Sequence, residues 1–229
     1  MGSGPRDADA LTFERDGAQR FGAAVRAVLS DIEEAIAQLP ADQAGIRLHG
    51  IGALRPLLAP SGPIGSIAAS ILGAQCRAVR AILFDKTPAT NWSLSWHQDR
   101  TIAVAQRIDM PGYGPWTVKR GLLHVAPPFE LLAGMVTLRV HLDPVPATNA
   151  PLLVAPGSHR FGRIAEGDIP GVLRQCGAFA CTADAGDVWL YATPILHASE
   201  AAAEPRHRRV LQADFAAGDL PGGLQWLGV

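Results

Sequence analysis

Near the start of the chain the apolar residues Leu11, Phe13, Phe21, Val25, Val28, Leu29, Ile32, Ile36 and Leu39 recur at spacings of three, four and seven. That period predicts an amphipathic helix over 10–38, interrupted at Asp16-Gly17. A second helical stretch is expected over 61–78, with Pro63 in its first turn, where a missing N–H costs nothing. After residue 79 the pattern changes to short runs rich in Val, Ile, Leu, Thr and aromatics. Val79–Phe84, Thr101–Ile108, Met135–Leu142, Leu152–Ala155, Asp187–Tyr191 and Val210–Phe215 read as strands. Turn residues separate them at Pro111-Gly112, Asp143-Pro144, Pro156-Gly157 and Ala185-Gly186. Many short strands at this spacing predict a sandwich or barrel, with no alternation of strand and helix.

With 229 residues the chain is long enough for one well-cored domain, and no linker or repeat divides it. The expected organisation is a single domain over 1–229. About 10–78 forms a helical buttress and about 79–216 a β-rich core. Charge is balanced, at 20 Lys+Arg against 21 Asp+Glu, and no basic run of five or more occurs. Nucleic acid is therefore not an expected partner. No apolar run approaches the length of a membrane span or signal peptide, so a membrane is not expected either. Cys76, Cys176 and Cys181 have neither the number nor the spacing of a disulfide framework or zinc site. They are expected to be reduced thiols in a cytoplasmic protein. Nothing in the sequence sets the oligomeric state.

Candidate chemistry begins at Trp96-His97-Gln98-Asp99. In an extended strand residues i and i+2 point to one side, so His97 and Asp99 could offer adjacent ligands to one metal ion. Two His and one carboxylate on one face of an octahedron leave three open positions, the arrangement of non-haem Fe(II) oxygenases. His141-Leu142-Asp143 competes for the same role. There Pro144 follows at once and makes Asp143 a turn residue, whereas Asp99 leads into the apolar run 101–108. The third ligand is expected at His197, just past the apolar strand ending at Tyr191. Eleven residues on, Arg208 opens a strand. A fixed guanidinium there suits the far carboxylate of 2-oxoglutarate, and Ser199 could donate to the same group. Arg209 and Arg206 are the alternatives, and of the adjacent pair 208 and 209 only one strand residue faces a given side. His49, His124 and His207 read as surface or hydrogen-bonded residues, His159 as exposed on a tight loop, and Trp92 and Trp96 as packing.

The motifs Phe13-Glu14-Arg15-Asp16-Gly17, His97-Gln98-Asp99, Asn149-Ala150-Pro151-Leu152, Ala155-Pro156-Gly157-Ser158-His159 and His197-Ala198-Ser199 with Arg208 together resemble the phytanoyl-CoA dioxygenase family. Ectoine hydroxylase and many bacterial tailoring enzymes belong to it. The resemblance spans about 11–226. It implies a mainly β fold, a double-stranded β-helix (jelly-roll) buttressed by N-terminal helices. It also implies Fe(II) on His97, Asp99 and His197, with 2-oxoglutarate as cosubstrate on Arg208 and Ser199. Further cosubstrate contacts are implied near Trp116 and on the strand from Arg80 to Phe84. Ala150 departs from the family pattern, which usually has Gly there.

The activity expected is O2-dependent hydroxylation of an sp3 carbon of a small molecule, releasing succinate and CO2. A carboxylate at 99 leaves no vacancy for halide, which argues against halogenation. Desaturation or epoxidation at the same site, a non-catalytic jelly-roll module and a cupin-like metalloenzyme are the alternatives. Tyr113, Trp116, Lys119, Arg120 and Arg139 are candidates to line a pocket for an anionic molecule.

Overall fold

A computed structural model describes residues 11–40 and 43–229, and residue 10, the first of the predicted N-terminal helix, lies outside them. The body is two facing antiparallel sheets with a small third sheet at one edge. The larger sheet contains β1 (Ala18–Phe21), β2 (Gly45–Leu48), β3 (Arg77–Lys86), β8 (Val136–His141), β11 (Val188–Ala192) and β13 (Arg208–Ala216), in the order β1-β11-β8-β13-β3-β2. The second has β10 (Phe179–Cys181), β9 (Leu152–Val154), β12 (His197–Ser199) and β4 (Leu94–His97), in that order. The third joins β5 (Ile102–Ala103), β7 (Leu122–Val125) and β6 (Trp116–Lys119). The sheets do not close into a continuous cylinder, and the architecture is the expected jelly-roll.

Period-two alternation gives the large sheet two different faces. One face presents Leu48, Ala81, Leu83, Leu138, Val140, Leu190, Leu211 and Ala213 to three helices: α2 (Leu29–Ile36), α3 (Leu54–Leu58) and α4 (Gly65–Leu72). Ile32, Ile36, Leu54, Leu57, Ile64 and Ile67 complete this core from the helix side. The opposite face turns toward the second sheet. Near β1 and β11 it is apolar, with Trp189 and Tyr191 packed on Leu152, Val154, Phe179 and Cys181. Toward β3 and β13 the same face carries Arg80, Lys86, Thr137, Arg139, His141, Arg208, Gln212 and Asp214, all buried. Burying charge at this density is costly unless the groups are paired or await a ligand.

The N-terminal region differs from the expected long helix. Only α1 (Phe13–Asp16), a 3-10 turn at Arg26–Val28 and α2 are helical; Gly17 ends α1 at φ +70, and Ala18–Phe21 pairs with β11. A Cβ at position 17 would lie 2.2 Å from Nδ1 of His159, so glycine serves both the left-handed backbone and the packing. His159 is accordingly half-buried over Gly17, not exposed on its loop. The second predicted helix shortens to α4, and its last residues enter β3. Of Thr101–Ile108, only Ile102–Ala103 forms a strand, with an isolated bridge from Val104 to Trp226. Two further helices, α5 (Phe129–Ala133) and α6 (Ile169–Cys176), sit between strands. The three cysteines are free thiols, and no described helix is long and apolar enough to cross a membrane.

Candidate active site

β4 and β12 lie side by side in the second sheet, and His97 is the direct cross-strand partner of His197. Their ring centroids are 4.3 Å apart. Asp99 joins them, with one ligand atom from each of the three residues lying within 4.8 Å of the others. β4 ends at His97, so Asp99 is not aimed by strand alternation as expected. Its aim comes from contacts. Gln98 between them is buried and donates to the carbonyls of Gly162 and Pro194, at 3.0 and 2.7 Å, while its Oε1 accepts from Ile164 N at 2.9 Å. These bonds tie the segment to the neighbouring loop and to the start of β12.

Each histidine is oriented by its own strand. Nδ1 of His97 is 2.7 Å from the Ser95 carbonyl, and Nδ1 of His197 is 2.9 Å from that of Ile195. A carbonyl only accepts, so both Nδ1 atoms carry the proton and both Nε2 lone pairs are left free. Burial pushes the His197 imidazole down to about 4, against the pull of Asp99, so this ring is neutral at neutral pH. Burial would raise the Asp99 carboxyl, yet Arg80 and the two histidines hold it below its ordinary range.

Arg80 binds Asp99 Oδ2 at 3.0 Å through Nη2 and Asp214 Oδ2 through Nε. Thr137 donates to the other Asp214 oxygen at 3.1 Å. Burial opposes the Arg80 charge, but Asp214 and Asp99 keep the guanidinium protonated. Arg80 lines the cavity as expected, yet its guanidinium is engaged by these two carboxylates.

A cavity of about 230 Å³ opens beside the histidines, walled by Ile82, Phe84, Leu152, Ser199, Arg139, Arg208 and Gln212 among others. Arg208 is buried and donates to the Ala150 carbonyl; its Nε has no partner, and no carboxylate meets it among the described residues. Burial, then Arg139, lowers it to about 9. Ala150 has φ +50, the left-handed turn in which glycine is freer. Ser199 Oγ accepts from Lys86 Nζ at 3.0 Å, and that ammonium also reaches the carbonyls of Trp92 and Glu200. Arg209 faces the other way, bound to Asp143 at 2.7 Å and Glu33 at 2.8 Å, which separates the two adjacent arginines.

His141 does not join the histidine pair. Its presumed partner Asp143 is engaged by Arg209, and its own ring is buried with neither nitrogen bonded. His124 is fully buried with Nδ1 on the Leu122 carbonyl, and His207 is exposed beside Asp85 at 2.7 Å. Trp116 does not line the cavity; it packs against the small core that includes Ile102, Val104 and Val125, with Arg107 over its ring at 5.4 Å. Of the anion-pocket candidates, Lys119 and Arg139 line the cavity, whereas Tyr113, Trp116 and Arg120 do not. Sequence reasoning missed Arg47 and Lys86. The alternation Arg80, Ile82, Phe84, Lys86 marks one face of β3, and Gly45 and Arg47 share a face of β2 in the same way.

A jelly-roll holding two imidazoles and a carboxylate beside a cation-walled cavity has the form of a mononuclear non-haem metal oxygenase. The phytanoyl-CoA dioxygenase family model matches residues 63–210, and the chain belongs to that family of Fe(II)- and 2-oxoglutarate-dependent oxygenases. Solved structures share the fold at low identity. EctD from S. alaskensis in its apoform is 19% identical at a TM-score of 0.64, covering 99% of this chain and 84% of that one. SnoK, a non-heme alpha-ketoglutarate-dependent carbocyclase from nogalamycin biosynthesis, is 18% identical at 0.62, covering 99% and 91%. HygX from Streptomyces hygroscopicus, with nickel and 2-oxoglutarate bound, is 15% identical at 0.58, covering 90% and 87%. No curated protein sequence matches the chain.

Proposed function

We propose that His97, Asp99 and His197 hold the Fe(II), and that Arg208 with Ser199 holds the far carboxylate of 2-oxoglutarate, for hydroxylation of an sp3 carbon of a small organic substrate. One observation carries this reading. Two imidazoles and a carboxylate converge at a cavity whose wall contains a buried guanidinium with no carboxylate partner among the described residues. The donor set fits a divalent cation, because it brings one negative charge and two neutral nitrogens from one side. Arg80 takes Oδ2 of Asp99 and leaves Oδ1 for the metal. Such outer contacts fix ligand orientation and basicity.

Bound iron with 2-oxoglutarate and O2 supplies the oxidant that cleaves the C–H bond, with succinate and CO2 as coproducts. The chain does the positioning. Ser199 Oγ already accepts from Lys86, so its own proton is free to donate to the cosubstrate carboxylate. Ile82, Phe84 and Leu152 supply the apolar part of a cavity wall that is otherwise polar and cationic. EctD has been crystallised with 2-oxoglutarate and 5-hydroxyectoine, and HygX with 2-oxoglutarate and hygromycin B, which supports a small-molecule substrate here. The free thiols Cys76, Cys176 and Cys181 fit a reducing, cytoplasmic setting.

The test is succinate formation by purified protein supplied with Fe(II) and 2-oxoglutarate, followed by reaction of a substrate library under labelled O2. Hydroxylation predicts one labelled oxygen in the product for each succinate. A turned-over product without label, with hydroxyl exchange controlled, points to desaturation. No succinate under any condition contradicts the enzyme.

A further inference from the structure

Five cations line the cavity, Arg47, Arg80, Lys119, Arg139 and Arg208, against a single lining carboxylate, Asp99. Arg80 is matched by Asp99 and Asp214. The cosubstrate dianion and iron carry opposite double charges, so together they leave the balance unchanged. Even the loaded site therefore retains uncompensated positive charge, in a partly enclosed space where such charge is costly. Arg208 and Arg139 lie close together, near Ser199, where the cosubstrate reading needs them.

Arg47 and Lys119 are placed differently. Arg47 stands on β2 opposite Ile82, four residues up β3 from the Lys86 that faces Arg208. Lys119 ends β6, in a different sheet, and its ammonium has one partner, Thr101 Oγ1 at 3.2 Å. Arg47 Nε is buried without a hydrogen-bond partner, and neither residue meets a carboxylate among the described residues. Burial, then Arg80 and Arg120, lowers Arg47; burial, then Arg80 and Arg47 against Asp99, lowers Lys119. The two cations thus line one cavity together with Asp99, and Lys119 feels both Arg47 and Asp99. Lys119, Leu94, His97 and Asp99 also border a second groove, which continues over the apolar Trp96, Ile169, Pro170 and Leu173, with Arg100 and Glu166 as its other charged residues. Leu94 in its wall is 46% exposed.

We propose that Arg47 and Lys119 form a second anion site, which holds a carboxylate or phosphate of the substrate while the rest of the molecule lies along the apolar groove past His97 and Asp99. The substrate class is then an organic anion with a hydrocarbon portion. This assignment rests on the iron and 2-oxoglutarate reading above. It separates the two anions in the cavity: the cosubstrate on Arg208, the substrate on Arg47 and Lys119.

The test titrates the anaerobic Fe(II)/2-oxoglutarate complex, at saturating 2-oxoglutarate, with hexanoate, hexyl phosphate and hexanamide. Tryptophan fluorescence reports binding, since Trp92 lines the cavity and Trp96 the groove. At least one of the two anions is expected to bind about tenfold or more tighter than the amide, as removal of a well-placed charge partner costs. Which anion binds tighter tells carboxylate from phosphate. In the Arg47→Gln/Lys119→Gln double variant the preference should fall to about one, and Arg47→Lys should keep most of it. If the double variant does not fold, Lys119→Gln alone should still lower the preference at least about threefold, a loss of one of two contacts. Equal binding of anions and amide by an enzyme that forms succinate overturns the second anion site alone. A preference intact in the folded double variant does so too. Absence of succinate and of iron binding instead counts against the underlying reading.

Discussion

His97 and His197 face each other as direct partners across the β4–β12 pair, with ring centroids 4.3 Å apart and both Nδ1 atoms on carbonyls two residues back. Residues a hundred apart in sequence thus present two Nε2 atoms from one rigid ladder. Nothing has to move for the pair to form, and only Asp99 needs separate support. That support comes from Arg80 and from the hydrogen bonds of the neighbouring Gln98.

Removing Arg80 should therefore damage both stability and metal binding. In Arg80→Met, Asp99 and Asp214 lose their shared cation, and Asp214 is left buried. Breaking a buried ion pair from one side costs about 3–5 kcal/mol, and disturbing an outer contact of a metal ligand weakens affinity about 10–100-fold. Denaturant unfolding and iron titration measure the two effects. A variant as stable as the parent, with unchanged iron affinity, would contradict the role given to Arg80.

The adjacent arginines should separate cleanly. Arg208→Gln is expected to raise the 2-oxoglutarate requirement by a factor corresponding to about 2–5 kcal/mol, with little change in iron content. Arg209→Gln loses a partly buried bidentate pair with Asp143 and a contact with Glu33, which lowers stability, and leaves the cosubstrate requirement alone. Steady-state KM for 2-oxoglutarate in both variants decides it. The reverse pattern would move the cosubstrate to Arg209.

Lys86 gives the site a pH dependence. Burial, then Arg208 and Arg139, lowers its ammonium to about 8. A bound dianion next to Ser199 stabilises the charged form, so binding is favoured while Lys86 is protonated, below about pH 8. Both cosubstrate carboxylates stay ionised from pH 7 to 10, so they add no slope there. Affinity for 2-oxoglutarate should fall as pH rises through 8, and Lys86→Met should bind more weakly with a flatter profile. Calorimetric titration at stepped pH measures this. A parent profile that is flat from pH 7 to 9 would count against it.

Much of the site was legible in the sequence, and the reasons differ residue by residue. His97, Asp99, His197, Ser199 and Arg208 stand in short motifs, each weak by itself, whose order along the chain resembles the family, and all five line one cavity. The large sheet was partly legible because its central strands alternate strongly, as in 135–142 and 210–215. β1 was hidden because Ala18–Phe21 follows α1 without a change of apolar period, and pairing with β11 decides its conformation. β2, β4, β6 and β12 are three or four residues each, too short for a period to show. Arg80 was drawn to the cosubstrate because no local pattern reveals Asp214, which lies opposite it on β13. Trp116 was implied only by the family resemblance, and the β6–β7 hairpin carries Lys119 to the cavity in its stead.

Iron stoichiometry in a set of single variants tests the central claim most directly. The parent should bind one Fe(II) per chain, and His97→Ala, Asp99→Ala and His197→Ala should each lose it while remaining folded by circular dichroism. His141→Ala, at the buried imidazole whose nitrogens have no partner, should keep its iron. Retention of iron by the first three variants, or its loss from His141→Ala alone, would contradict the account.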